Sequence, residues 1–141
     1  MNSRIQFFSE GIAFQLKETL KIRKWLKRVI LNEKMKAGSV NFIFCSDDYL
    51  LILNQTYLKH QTYTDIITFP SWEQPETVSG DVFISIRRVE ENAIKYAQTF
   101  DQELCRVMVH GILHLIGYND KTKSEKSEMV AKENQYLSAI L

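Results

Sequence analysis

His110, His114 and Asp120 are the residues of this chain whose types and spacing could do metal chemistry. Histidines four positions apart on a helix lie one above the other on the same face. Both imidazoles can then reach one ion at Zn–N distances of roughly 2.0–2.1 Å. Gly117 comes three residues after His114, where a glycine can take the left-handed conformation that ends a helix and reverses the chain. Asp120 follows after three more, in place to return as a third donor. Two imidazoles and one carboxylate leave a tetrahedral zinc ion one open position for water, which is the catalytic pattern and not the closed structural one. Leu104, Cys105, Val107, Met108, Val109, Ile112, Leu113, Leu115 and Ile116 make the stretch apolar nearly all round, so it reads as a buried central helix.

The spacing H-x3-H-x2-G-x2-ligand resembles that of metzincin zinc sites. Metzincins carry a general-base Glu directly after the first His, and Gly111 stands there in this chain, which argues against a zinc metalloprotease-like hydrolase. A more specific resemblance is to the YbeY family of bacterial rRNA maturation endoribonucleases, whose signature reads H-G-x-L-H-L-x-G-Y-D-H. His110, Gly111, Leu113, His114, Leu115, Gly117 and Tyr118 are in register with it. Asn119 stands where that family usually has Asp, and Asp120 where it has a third His. A second block agrees: Leu53, Asn54, Tyr57 and Thr64 to Pro70 resemble L-N-x-x-Y-R-x(5)-T-D/N-V-L-S-F-P, with Leu58 at the place of the Arg. Gly80 to Ser85 resembles the family's G-D-I/L-x-I-S/C strand.

The resemblance implies a metal-dependent endoribonuclease specific for single strands, acting in ribosomal RNA processing at the 3′ end of 16S rRNA and in ribosome quality control. It implies single-stranded or ribosomal RNA as partner, with the ribosome or its small subunit as the setting. The second block places Lys59, His60 and Asp65 near the metal cleft, and these are the candidates to assist catalysis. Two of them have a plainer reading: His60 as an exposed loop residue, Asp65 as a backbone hydrogen-bond partner where its strand starts. The competing function is an RNA- or ribosome-binding maturation factor with a mainly structural zinc.

The elements that must position these residues follow from the rest of the pattern. Ile5 to Phe8 suits a strand, and the alternation of Ile12, Phe14 and Leu16 suggests an extended segment or edge strand. From Thr19 to Asn32 the period changes: Ile22, Trp25, Leu26, Val29 and Ile30 fall on one face of an amphipathic helix. Between Lys17 and Lys36 eight Lys and Arg face only Glu18 and Glu33, six positive charges on a chain whose total is +1. That face is either a solvated helix surface or an electrostatic footprint for RNA phosphates.

Ser39 to Cys45 reads as a strand, and Ser46, Asp47 and Asp48 offer cap oxygens to a helix reaching about Tyr57. Asp65 to Phe69 is a strand ended by Pro70, and residues 71–79 a surface loop. Gly80 through Ile86 is apolar enough to be central in a sheet. Arg87 to Phe100 is helical, Asp101 is the candidate N-cap of the metal helix, and Thr122 with Glu125 forms a capping box for the last helix. Met129, Val130, Glu133, Tyr136 and Leu137 mark that helix's packing stripe. On the metal helix, Glu103 either orients a ligand imidazole or forms a helix ion pair with Arg106.

Strands and helices interleave without strict βαβ order, which predicts an α+β fold with a small mixed sheet and the metal site on the central helix. With 141 residues and 45% hydrophobic composition, the chain is expected to form one domain over 1–141. Cys45 and Cys105 read as buried hydrophobes in a reducing compartment. Neither a secretory signal nor a membrane span is apparent, so the expected location is cytoplasmic. The oligomeric state is not legible.

Overall fold

The computed structural model describes residues 4–59, 62–72 and 74–140. Its elements run β1 (Arg4–Glu10), α1 (Thr19–Asn32), β2 (Lys36–Cys45), α2 (Asp47–Tyr57), β3 (Ile66–Ser71), β4 (Thr77–Ser85), α3 (Ile86–Lys95), α4 (Phe100–Ile116) and α5 (Lys123–Leu137). The four strands form one sheet in the order β1-β2-β4-β3. β1, β2 and β4 pair in parallel, and β3 is antiparallel to β4, so the sheet is mixed and the fold α+β as expected.

The sheet's two faces are covered differently. Phe42, Phe44, Val82 and Ile84 point to the face that carries α1 and α4, and all four are buried. The opposite face carries α2, where Leu50 packs with Cys45 and Ile67 in a smaller apolar cluster. α1 turns Ile22, Trp25, Leu26, Val29 and Ile30 inward, the five residues that the helical period selects. α4 lies among α1, α3, α5 and the β3–β4 side of the sheet. A helix enclosed on so many sides must be apolar nearly all round, which is why its pattern is so uniform.

Gly111 is what lets α4 come so close. A Cβ there would stand 2.8 Å from Val82 Cγ1 and 3.1 Å from Ile66 Cδ1, so the helix seats its bare backbone on β4 and β3. Gly117 ends α4 at φ 127°, and the amides of Gly117 and Tyr118 turn back onto the carbonyl of Leu113 at 3.1 and 3.0 Å.

Several boundaries differ from the expectations. Ile12 to Leu16 is not a strand; Phe14 instead packs edge-on against Phe44 at 5.1 Å and Phe100 at 6.0 Å. The alternation there records packing of an extended stretch and no ladder. β3 continues through Pro70, which is tolerated because β3 is an edge strand. β4 begins at Thr77, before Gly80. The helix after Ser85 ends at Lys95, because Ala97 adopts φ 54° and Thr99 then caps α4. Thr99 and Gln102 form a capping box, and Asp101 lies in the first turn where a negative charge suits the helix dipole. The box at Thr122 and Glu125 is present as read. Val130, however, is 49% exposed and stands outside the α5 stripe. Asp47 does more than serve an N-terminus: it accepts two hydrogen bonds from Arg88, each 3.0 Å, and one from Ser85 Oγ. Among the described residues no helix is long and apolar enough to cross a membrane.

Candidate metal centre

His110 and His114 project from one face of α4 with ring centroids 4.5 Å apart. The turn after Gly117 brings Asp120 back to them: its Oδ2 lies 3.5 Å from His110 Nε2 and 3.4 Å from His114 Nε2. One donor atom from each of the three residues falls within 4.8 Å of the others. A tetrahedral ion bonded at about 2.0–2.1 Å sets its donors roughly 3.3–3.4 Å apart, so the carboxylate is already near the distance that such an ion would impose on it and each imidazole. The donor set, two imidazoles and a carboxylate, suits a borderline divalent cation. The three side chains remain 20%, 23% and 41% exposed, so the centre opens to solvent on one side.

The other nitrogen of His110 is fixed from α5. Glu133, 5% exposed, places Oε2 2.6 Å from His110 Nδ1 and Oε1 3.1 Å from Arg106 Nη1. A carboxylate behind an imidazole sets its tautomer, leaving Nε2 free to donate electrons, and holds the ring's direction. Glu103, which the helix spacing offered for this task, instead lies 3.6 Å from Arg106 Nε. Arg106 thus sits between two buried carboxylates. The sequence pattern assigns Glu133 only to a packing stripe. Its signal was an acid in an otherwise apolar row, Met129, Tyr136 and Leu137 being buried beside it.

The electrostatics favour a cation. Burial pulls the His110 imidazolium down, but the hydrogen bond and charge of Glu133, with Asp120 and Asp65 beyond, outweigh it and raise the group above its ordinary value. His114 is lowered, by burial first and by the neighbouring His110 second, with Asp120 opposing. Asp65 is raised, chiefly by burial, while Glu133 and Asp120 add to the rise and His110 opposes it. Carboxylates that favour a proton on His110 favour a metal ion in the same place.

A second set of contacts braces the turn that carries Asp120. Tyr118 donates its hydroxyl to Glu33 Oε1 at 2.5 Å, Lys132 binds Oε2 at 3.1 Å, and the Tyr136 hydroxyl also donates to Oε2. Glu33 follows α1 directly, so the end of that helix is bonded to both the metal-bearing turn and α5. Burial pushes the Glu33 carboxyl up, yet the bonds from Tyr118, Tyr136 and Lys132 prevail and hold it below its ordinary value.

With this geometry in place, sequence comparison is decisive. The family described as Endoribonuclease YbeY matches residues 5–141. The chain belongs to the YbeY family. Relatives named Endoribonuclease YbeY include one from Cytophaga hutchinsonii, 48% identical over 95% of this chain and 94% of the relative. Another, from Amoebophilus asiaticus, is 45% identical over 97% of this chain and 93% of its own length. A solution structure of a Thermotoga maritima protein superposes with a TM-score of 0.68 at 30% identity, covering 97% of this chain and 89% of that one.

The second YbeY block is only partly gathered at the centre. Asp65 immediately precedes β3, its carbonyl accepts from the Ser85 amide at 2.9 Å, and its carboxyl feels the charges of His110, Glu133 and Asp120. Lys59 is exposed just past α2 at φ 57° and makes no ion pair among the described residues. Thr62 is tied to α2 by Asn54, whose amide donates to the Thr62 carbonyl at 2.7 Å. His60 lies outside the described residues. Leu58, at the place of the YbeY arginine, is 44% exposed and caps α2. Gly111 of the YbeY signature now has a physical reason: the position faces Val82 and Ile66, and a side chain there would have no room.

Proposed function

We propose that this chain is a metal-dependent endoribonuclease that cuts single-stranded RNA in ribosomal RNA maturation. The observation that carries this reading is the convergence of His110, His114 and Asp120 on one partly open point, with Glu133 fixing one imidazole from behind. In this reading one zinc ion is held by those three residues. When bound, the cation supplies Lewis-acid chemistry at a phosphoryl oxygen.

The chain's own residues do the rest. Glu133 keeps Nε2 of His110 turned toward the donors, and Tyr118 and Glu33 hold the turn that presents Asp120. In this reading Asp65, its carboxyl raised chiefly by burial, takes or returns a proton at the reacting phosphate. Lys59, which makes no ion pair among the described residues, supplies positive charge to the strand, and His60, next in the chain, assists. An RNA substrate brings its own 2′-hydroxyl, so the lack of a glutamate beside the first histidine is compatible with RNA cleavage. For peptidase chemistry of the metzincin type, that position has no space for the base.

A purely structural ion would be closed off by a fourth protein donor, whereas the group among the described residues has three members. We place the activity in one domain spanning 1–141, in the cytoplasm, with the 3′ end of 16S rRNA and the small ribosomal subunit as its setting.

The test joins metal analysis to cleavage of an unpaired oligoribonucleotide. Purified protein should carry about one zinc, and chelation should stop cleavage. His114→Ala and Asp120→Ala should both lose metal and activity, Asn119→Ala should lose neither, and Asp120→His should keep the metal. A duplex of the same sequence should be cut poorly, because a phosphate in a regular A-form helix cannot approach the centre closely. Cleavage that survives complete removal of metal would refute the reading.

A further inference from the structure

Away from α1, four basic side chains have acidic partners among the described residues. Arg87 pairs with Glu91, Arg88 with Asp47, Arg106 with Glu133 and Lys132 with Glu33. On α1 itself Arg23 is occupied: its Nε donates to the Ile5 carbonyl at 2.8 Å and its guanidinium lies 5.5 Å over the Phe7 ring. Lys17, Lys21, Lys24, Lys27, Arg28 and Lys34 are different. Among the described residues none of their side chains makes a hydrogen bond or an ion pair, and all but the half-buried Lys27 are exposed. Six positive charges therefore line one helix and its two flanks without an ion pair among the described residues, on a chain whose net charge is +1.

The position of this strip matters as much as its charge. α1 has 14 residues, about 21 Å of axis at 1.5 Å per residue. Its far end is fastened to the centre, because Glu33 accepts from Tyr118, two residues before Asp120, and from Lys132, next to Glu133. A strand lying on α1 thus leads to the turn that presents Asp120. The strip does not suit a lipid surface: the apolar face of α1 is spent in the core, and its exposed leucines, Leu20 and Leu31, stand eleven residues apart with cations between them.

We infer that the outer face of α1 is a phosphate-tracking surface that holds the RNA strand on one side of the scissile bond. This rests on the endoribonuclease reading above and adds the part of the molecule that grips substrate away from the metal. Each phosphate neutralised there releases a counterion, so binding must weaken with salt.

The experiment uses the full chain with metal chelated, so that RNA is bound and not cut. Fluorescence anisotropy with a labelled single-stranded oligoribonucleotide is measured over a series of salt concentrations. For the double variant Lys24→Gln/Arg28→Gln, the slope of log K against log salt should become shallower by about 1.4, roughly 0.7 for each lost contact. Lys21→Gln/Lys27→Gln is a second, independent pair and should behave alike. Both pairs lie outside the Ile22, Trp25 and Val29 stripe, and unchanged metal content and melting temperature verify that the fold is kept. His114→Ala should lose cleavage while keeping the wild-type slope.

An unchanged slope in both double variants overturns the inference and returns the strip to a solvated face or a site for an acidic protein. The two readings fail separately. Wild-type protein that cuts RNA with unaltered slopes in the variants refutes only the surface. Wild-type protein that binds with variant-sensitive slope but never cuts refutes only the nuclease.

Discussion

Glu133→Gln keeps the volume of the side chain and removes its charge. Glu133 is 5% exposed and serves two groups, His110 Nδ1 at 2.6 Å and Arg106 Nη1 at 3.1 Å. A glutamine has one acceptor oxygen and presents an N–H₂ on its other side. Whichever neighbour keeps the oxygen, the other faces a donor. Hydrogen bonds to charged groups contribute about 1.5–3 kcal/mol, so the metal-free protein should lose stability on that order. The metal should suffer separately, since partners that orient a ligand imidazole are worth about 10–100-fold in affinity, or about 1.4–2.7 kcal/mol. The assay is competition for zinc against a chromophoric chelator, with thermal melts of the metal-free protein beside it. Arg106 should turn toward Glu103, already 3.6 Å from its Nε, which limits the loss of stability but does nothing for His110. Glu133→Leu, which strands both neighbours, should be worse, about 3–5 kcal/mol. Zinc affinity of Glu133→Gln within twofold of wild type would refute the claim that α5 orients the imidazole.

Gly111→Ala places a methyl 2.8 Å from Val82 Cγ1, and overpacking of about 1–3 kcal/mol should exceed the roughly 1 kcal/mol that alanine gains in helix propensity. The melting temperature should fall and recover when Val82→Ala is added; a rise in the single variant would contradict the close contact. Glu33 gives a pH signature: its carboxyl is held low in the folded state, so its contribution is complete above the unfolded value and fades as pH falls through the folded one. The stability gap between wild type and Glu33→Gln, measured by urea unfolding, should be wide near neutrality and close in acid below the ordinary glutamate range. A gap independent of pH would show that the contacts, and not the charge, matter there.

Features set by neighbours in the chain were legible, and features set by folding were not. His110, His114, Gly117 and Asp120 occupy one helix and its terminating turn, so spacing alone brought them together. The inward stripe of α1 and the capping box at Thr122 are local in the same sense. Glu133 and Glu33 escaped because their partners lie 23 and 85 residues away, across packed helices that no periodicity orders. Thr99 and Asp101 can each cap by residue type, and only the reach of Gln102 back to the Thr99 amide distinguishes them. The alternation of Ile12, Phe14 and Leu16 looked like a strand because an extended segment lying on Phe44 has the same period with no pairing partner.

Lys132 and Glu133 are consecutive residues of α5, and each fastens a different part of the centre. A polypeptide is synthesised from its N-terminus, so the sheet and α4 are available before α5 exists. During that interval Nδ1 of His110 and the guanidinium of Arg106 have no Glu133 carboxylate to meet, and Glu33 has Tyr118 but not Lys132 or Tyr136. The potential that draws a cation between the imidazoles therefore reaches full strength only after the last helix has docked.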